Sequence, residues 1–103
     1  MKNQAFKAAL TTHGRKTGDE HTVLLRAVSY NNMIYFSRRN LDSDWLKNAL
    51  VNHIVKVDFD GITHNGTASL VSDESLAKKI SELKYPGEQR SQEARVVLQV
   101  VLE

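Results

Sequence analysis

Short runs of apolar and β-branched residues, bounded by turn-forming residues, recur along most of the chain and predict a protein built mainly from strands. The fourth run alternates apolar with charged residues, the period of two that is typical of a half-buried strand. The last run is almost wholly apolar, as in a buried strand. The runs cover residues 6–12, 21–30, 33–37, 54–59, 62–71 and 96–102.

Two residue pairs predict tight turns that join neighbouring runs into hairpins. Asn31-Asn32 separates the second and third runs, and asparagine tolerates the positive φ angles of such turns. Asp60-Gly61 separates the fourth and fifth runs and is a strong hairpin signal. Asn65-Gly66 offers a rival turn, but Asp60-Gly61 leaves strands of usable length on both sides and is therefore preferred.

Two stretches change to the helical period. The first begins after Asp42 or Ser43, either of which can cap a helix. The second begins with Ser72 or Ser75 as its cap, and Tyr85-Pro86-Gly87 ends it. The apolar faces consist of Trp45, Leu46, Ala49 and Leu50 in the first helix and Leu76, Ala77, Ile80 and Leu83 in the second.

The order of these elements predicts one domain, residues 1–103, of the mainly β class. Six strands and two short helices in so short a chain favour a small antiparallel β-barrel whose helices plug its ends. The pattern argues against a doubly wound parallel sheet, because no crossover helices separate successive strands.

Composition narrows the class of protein further. The chain has 103 residues, 41% of them apolar, and a formal net charge of +2, which is too mild to indicate a nucleic-acid-binding protein by itself. It contains no cysteine, which excludes disulfides and thiolate chemistry. Neither a membrane-spanning run nor a signal-peptide core is visible, so we expect a soluble cytoplasmic protein.

The loop after the first strand is the strongest candidate for chemistry. It reads Gly14, Arg15, Lys16, Thr17 and Gly18. Backbone N–H groups, a hydroxyl, a guanidinium and an ammonium are all good phosphate donors, and glycine allows close approach of the backbone. The spacing is not that of a Walker loop. A basic surface turn between two strands is the alternative interpretation.

Other candidate residues are less specific. Arg38-Arg39 follows the third strand and either holds an anion or is solvated, and Trp45 belongs to the core or to a pocket wall. The four histidines form no i, i+4 pair, so we expect surface histidines and no metal site. No nucleophile elbow or carboxylate pair can be nominated. Cations and hydroxyls on loops beside strands suit a phosphorylated cofactor that carries the chemistry itself.

Residues 10–18, L-T-T-H-G-R-K-T-G, resemble the signature of the deazaflavin-dependent nitroreductase family. That family belongs to the split-barrel flavin-binding group related to the pyridoxamine-phosphate oxidases. The resemblance continues in order through residues 35–37, 44–52, 55–61 and 85–87 and the closing strand, and so covers nearly the whole chain.

The resemblance implies a six-stranded split β-barrel that binds the deazaflavin coenzyme F-420, or alternatively FMN, and acts as an oxidoreductase. Hydride would pass to a small acceptor such as a quinone or a nitro compound, and a homodimer is the default assembly. The cofactor-binding positions implied, counting Arg15 with its loop, are Arg15, Lys16, Thr17, Gly18 and Arg38 near phosphate and Ser37, Trp45 and Asn48 in the pocket wall. Tyr85 is a weak catalytic candidate.

The sequence also departs from the family pattern. Asp19 and Glu20 follow the basic loop and would weaken binding of an anion, whereas Arg38-Arg39 replaces a glycine pair and restores positive charge. The tyrosines that follow Y-P-G in nitro-reducing members are missing, and so is the N-terminal helix of longer members. These departures keep open a non-catalytic module that binds a flavin or another anion. A barrel that binds single-stranded nucleic acid through its arginines is disfavoured, because only 7% of residues are aromatic.

Overall fold

The computed structural model describes residues 2–103 and is a closed barrel of six antiparallel strands. The strands follow one another around the barrel in the order β1-β2-β3-β6-β5-β4, and β4 pairs with β1 to close it. The mainly β fold class is therefore confirmed. The strands are β1 Gln4–His13, β2 Glu20–Tyr30, β3 Met33–Arg38, β4 Ile54–Phe59, β5 Ile62–Leu70 and β6 Val96–Leu102. Helix α1 is Asp44–Val51, helix α2 is Glu74–Lys84, and a 3-10 turn spans Gln89–Gln92.

Both predicted hairpin turns are present. Asn31 and Asn32 have φ angles of 50° and 64°, and Asp60 and Gly61 have φ angles of 52° and 75°. Two consecutive positive φ angles give the backbone twist that matches the twist of the flanking strands. The rival turn at Gly66 is wrong, since that residue lies inside β5, where an added Cβ would stand 2.7 Å from Val100 Cγ1.

The barrel interior is filled by alternate residues of every strand, and α1 adds its apolar face to the same cluster. Helix α1 therefore packs into the barrel as predicted. Helix α2 does not plug an end: it packs Ala77 and Ile80 against the outer surface of β2, β3 and β6. The reason is that Val28, Tyr35 and Val97 point outward from those strands and need cover from water.

The cap of α2 also differs from the prediction. The carboxylate of Asp73 accepts hydrogen bonds from the backbone N–H groups of Ser75 (2.9 Å) and Leu76 (3.3 Å), so Asp73 is the cap instead of Ser72 or Ser75. Helix α1 has Ser43 at its N-cap, as one of the two predicted alternatives, but the hydroxyl makes no capping hydrogen bond.

One seam of the closed barrel is only partly hydrogen-bonded. Strands β2 and β3 pair only at three positions beside their turn, the last being Val28 opposite Tyr35. Beyond them β2 continues along β1, and β3 continues along β6 as far as Arg38 opposite Val96. The two strands therefore diverge and leave a gap between residues 22–26 and residues 36–38. We call this opening the β2–β3 gap.

Among residues 2–103, no helix is long and apolar enough to cross a lipid bilayer. The cytoplasmic location stays a prediction.

Candidate functional site

Two of the cavities that open on the barrel share Trp45, at the start of α1, as a lining residue. The larger one, which we call the loop cavity, has a volume of about 760 Å³ and lies between the loop after β1, the start of β2 and α1. The smaller one, the gap cavity, has a volume of about 370 Å³. It lies at the β2–β3 gap and is bounded by the end of α2. The two cavities are therefore neighbours that share an indole wall.

The structure brings all but one of the predicted site residues to these two cavities. Gly18 lines neither cavity, and its φ of 78° instead serves the turn of the loop. The roles of the others stay predictions. Arg15, Lys16, Thr17 and Asn48 line the loop cavity, Ser37, Arg38 and Tyr85 line the gap cavity, and Trp45 lines both.

The loop after β1 is a compact turn held by its own backbone. The N–H of Gly14 donates to the carbonyl of Asp19 (2.8 Å), and the N–H of Gly18 donates to the carbonyl of Gly14 (2.9 Å). A Cβ on Gly14 would lie 2.9 Å from His21 Nε2, so any other residue here would require the imidazole to move. The loop is thus preorganised before any ligand arrives.

Arg15 fastens this loop to α1. Its Nη1 donates to Asn48 Oδ1 at 2.8 Å and, more weakly, to the carbonyl of Asp44 at 3.3 Å. Buried Asn48 in turn donates from Nδ2 to Thr12 Oγ1 at 3.4 Å. Arg15 and Asn48 therefore join β1, the loop and α1, and a large part of the hydrogen-bonding capacity of the guanidinium is already used within the protein.

Lys16 differs from Arg15, because it makes no ion pair or hydrogen bond with any residue from 2 to 103. It is an exposed ammonium at the edge of the loop cavity. Three unengaged N–H donors beside a rigid loop suit a phosphate oxygen.

Carboxylates also line the loop cavity, namely Asp19, Glu20 and Asp44. Glu20 Oε2 accepts a hydrogen bond from Lys56 Nζ at 2.9 Å, and this bond, together with the lysine charge, lowers the pKa of Glu20 below its usual value. Asp44 Oδ1 lies 3.7 Å from Arg15 Nη2. Two of the three carboxylates thus already face a cation, which reduces their repulsion of an anionic ligand.

The gap cavity contains a lysine that sequence reasoning missed. Lys84, the last residue of α2, is only 8% exposed, and its Nζ donates to both the carbonyl and the hydroxyl of Ser37, each at 3.1 Å. Burial lowers the pKa of Lys84; Tyr85 opposes that shift, whereas Arg95 and Arg38 reinforce it. The signal in the sequence was its position four residues after Ile80, on the buried face of the helix.

Tyr85 lies beneath a group of cations in the same cavity. The guanidinium of Arg90 stacks over its ring at 4.0 Å from the ring centroid, and Lys84 Nζ and Arg95 Cζ stand at 5.3 Å and 5.4 Å. Such cation–π contacts fix the ring in place. Tyr85, the weak catalytic candidate, is therefore a buried residue whose ring is held in place in the wall of the gap cavity. Within residues 2–103, no group of three or more histidines and carboxylates is arranged to hold a metal ion.

The same barrel occurs in solved structures of other proteins. The chain superimposes on a structure described as an F420-H2 dependent reductase with a TM-score of 0.74 and 23% identity, over 92% of this chain and 93% of that one. A candidate pyridoxamine 5'-phosphate oxidase from Listeria innocua gives 0.72 and 23%, over 94% and 83%. A structure described as a domain-swapped dimer gives 0.74 and 23%, over 92% and 79%.

No model of a protein family matches the sequence, and a comparison with curated proteins finds no match. At the identities above, the likeness shows the fold. Some of the structural neighbours are described as the two kinds of protein that the sequence motifs resemble, namely F420 reductases and a candidate pyridoxamine 5'-phosphate oxidase. The resemblance that the sequence suggested is confirmed to that extent.

Proposed function

We propose that this protein binds a phosphorylated flavin-type cofactor, either the deazaflavin coenzyme F-420 or FMN, and acts as a small oxidoreductase. The observation that carries the proposal is the shared wall at Trp45. It places a rigid, basic loop with an unengaged lysine on one side and a serine hydroxyl at the β2–β3 gap on the other. A molecule with a charged tail and a flat ring system matches this arrangement.

The residues of the loop cavity fit the tail of such a cofactor. Lys16 and the Thr17 hydroxyl would hold a phosphate, and the conformation of the loop is set by its own hydrogen bonds. Arg15 and Asn48 act mainly by holding the loop against α1. The ring would lie against Trp45 and reach Ser37, where the indole and the barrel interior exclude water.

When bound, the reduced cofactor would supply a hydride, and an acceptor such as a quinone would take it up together with one proton from water to leave as the hydroquinone. The protein contributes position and electrostatics. Ser37 is well placed to orient ring or acceptor, because Lys84 donates to its oxygen and leaves the hydroxyl proton available to another acceptor.

A titration of purified protein with the deazaflavin coenzyme, and separately with FMN, tests the proposal through ring fluorescence. In Lys16→Glu we expect affinity to fall by about tenfold or more, since a charge-assisted hydrogen bond contributes roughly 1.5–3 kcal/mol. The matched control is Lys47→Glu, an exposed lysine of α1 outside both cavities. Equal cofactor affinities for the Lys16 variant and the wild type would contradict phosphate binding at this loop.

The second candidate function is a binding module without turnover. The clamped ring of Tyr85 favours it, because a fixed ring limits movement at the gap. The two functions separate in one assay. An oxidoreductase accelerates the reoxidation of reduced cofactor by an acceptor, whereas a binding module leaves the rate at or below that of free cofactor.

We also propose that two copies pair in solution. The support is the structural neighbour described as a domain-swapped dimer, together with large apolar side chains that this subunit leaves exposed on its strands, such as Leu24, Ile62 and Val101. A contiguous patch of such side chains is the kind of surface that a partner subunit covers.

A further inference from the structure

The two cavities differ in the charges that line them. The loop cavity has two cationic side chains, Arg15 and Lys16, against the three carboxylates described above. The side chains that line the gap cavity include four cations and no carboxylate. The four cations are Arg26, Arg38, Lys84 and Arg90. A small cavity lined by one sign of charge concentrates ions of the opposite sign.

One of these cations is built into the wall of the cavity. Lys84 is nearly buried, and its two hydrogen bonds to Ser37 hold the ammonium at the β2–β3 gap. A lysine ammonium has three N–H donors, so the third is left for the side chain of Tyr85 or for a ligand. An ammonium fixed in this way needs no reordering of its side chain when an anion binds.

The remaining cations surround this point from separate elements. The side chains of Arg26 on β2 and Arg38 on β3 have no ion-pair or hydrogen-bond partner within the described part of the chain. Arg90, after α2, stacks on the Tyr85 ring. Its Nη2 and Nε donate hydrogen bonds to Glu88 Oε1, at 2.6 Å and 3.2 Å, and its Nη1 remains unused. Both edges of the gap and the segment above it therefore present positive charge to the same space.

A further guanidinium lies behind Tyr85. The side chain of Arg95 is only 10% exposed, and its Nε and Nη1 are buried without a hydrogen-bond partner among residues 2–103. The nearest carboxylate, that of Glu93, is 3.7 Å from Nη1. A buried cation without hydrogen bonds is costly, and a nearby anion offsets that cost. Arg95 thus adds to the positive potential across the Tyr85 ring.

We propose that the gap cavity recognises the carboxylate of a small, anionic, unsaturated acceptor. This proposal rests on the proposed oxidoreductase function and names the class of its acceptor. The carboxylate lies between Lys84, Arg38 and Arg90, and the unsaturated part of the molecule points to Trp45, the wall shared with the cofactor site. A volume of about 370 Å³ suits a molecule of one or two rings.

The protein carries its own reporter for a direct test, since Trp45 is the only tryptophan in the chain. Quenching of its fluorescence in cofactor-free protein measures the binding of two matched nitroaromatic probes, anionic 4-nitrobenzoate and neutral 4-nitrobenzyl alcohol. We expect 4-nitrobenzoate to bind at least about tenfold more tightly at low salt, as for charge-assisted contacts, and the preference to shrink as salt is added.

Variants assign the preference to the gap cavity. Arg90→Gln changes an exposed side chain and should lower the affinity for 4-nitrobenzoate severalfold with little change for the alcohol. Glu88→Gln removes the carboxylate that competes with the probe for Arg90 and should raise the affinity for 4-nitrobenzoate. Lys78→Gln, on the exposed face of α2, is the control and should change neither. Lys84→Gln should abolish the preference, and the Arg90 and Glu88 variants decide the matter if that protein does not fold.

The outcomes separate the two proposals. Equal affinity for the two probes, or no binding of either, would overturn the anion site. So would an Arg90→Gln variant that keeps the probe preference but loses affinity for the deazaflavin coenzyme or FMN, since the cations would then serve the cofactor's phosphate. A probe preference in a wild-type protein that binds neither cofactor would refute the proposed function and leave the anion site standing.

Discussion

Two lysines at the edges of the two cavities illustrate what a sequence reveals about single residues. Lys16 belongs to a local pattern, a basic loop between glycines, and its placement beside a cavity agrees with the prediction. Lys84 acquires its environment from Ser37, 47 residues earlier in the chain. Spacing within α2 places Lys84 on the buried face, but it does not reveal which strand end lies opposite. Contacts between distant residues need the fold.

The burial of Lys84 predicts a dependence of stability on pH. Its pKa in the folded protein is lowered below the usual 10.5, so the unfolded chain binds more protons in the alkaline range. The free energy of unfolding of the wild type, relative to Lys84→Met, should therefore rise as the pH increases towards 10.5. Urea unfolding of both proteins at several alkaline pH values measures this difference.

Lys78→Met provides the comparison for that measurement, because Lys78 lies on the exposed face of the same helix. Its difference from the wild type should not change with pH. A flat difference for Lys84→Met as well would mean that the ammonium of Lys84 is solvated instead of buried.

At the scale of elements, the strands followed from the sequence almost residue by residue. The bounds of β4 and β6 are those that the apolar runs predict, and both hairpin turns formed at the expected pairs. Helix α2 was found, but its cap and its position were wrong. Several serines and an aspartate precede it, so composition alone leaves the cap undecided, and an apolar helix face does not identify the surface that it covers.

The cap of α2 can be tested through stability. Asp73→Ala removes the acceptor for two backbone N–H groups and should lower the free energy of unfolding by about 1 kcal/mol. Urea unfolding at neutral pH measures the change. Ser72→Ala, which alters an exposed neighbour, should stay within about 0.5 kcal/mol of the wild type. A comparable loss in both variants would argue against Asp73 as the cap.

At the scale of the whole molecule, the barrel followed from the number of strands and the absence of crossover helices. What the pattern could not supply was the closure of the barrel, since the pairing of β1 with β4 and of β3 with β6 joins segments far apart in sequence. The β2–β3 gap is a product of that closure. The neighbouring positions of the loop cavity and the gap cavity could therefore not be read from local motifs.

The proposed pairing of subunits also belongs to this scale. Light scattering coupled to gel filtration should give a mass of about twice 11.6 kDa. Leu24 is 69% exposed at the edge of the gap cavity, so Leu24→Lys tests whether the contact lies there. If it does, Leu24→Lys should shift the measured mass towards that of the monomer. Ile62→Lys tests a second surface, at the turn between β4 and β5. A wild-type mass of 11.6 kDa at micromolar concentration would contradict the proposal.

The short pairing between β2 and β3 has a mechanical consequence. Three residue pairs hold it, as at the β1–β4 closure, so this seam opens at a lower free-energy cost than the long β1–β2 ladder. A molecule seated across the β2–β3 gap touches both of its edges and binds only while the seam is shut. A ligand that binds the folded protein across this gap therefore links two short-paired strands and raises the free energy of unfolding of the whole barrel.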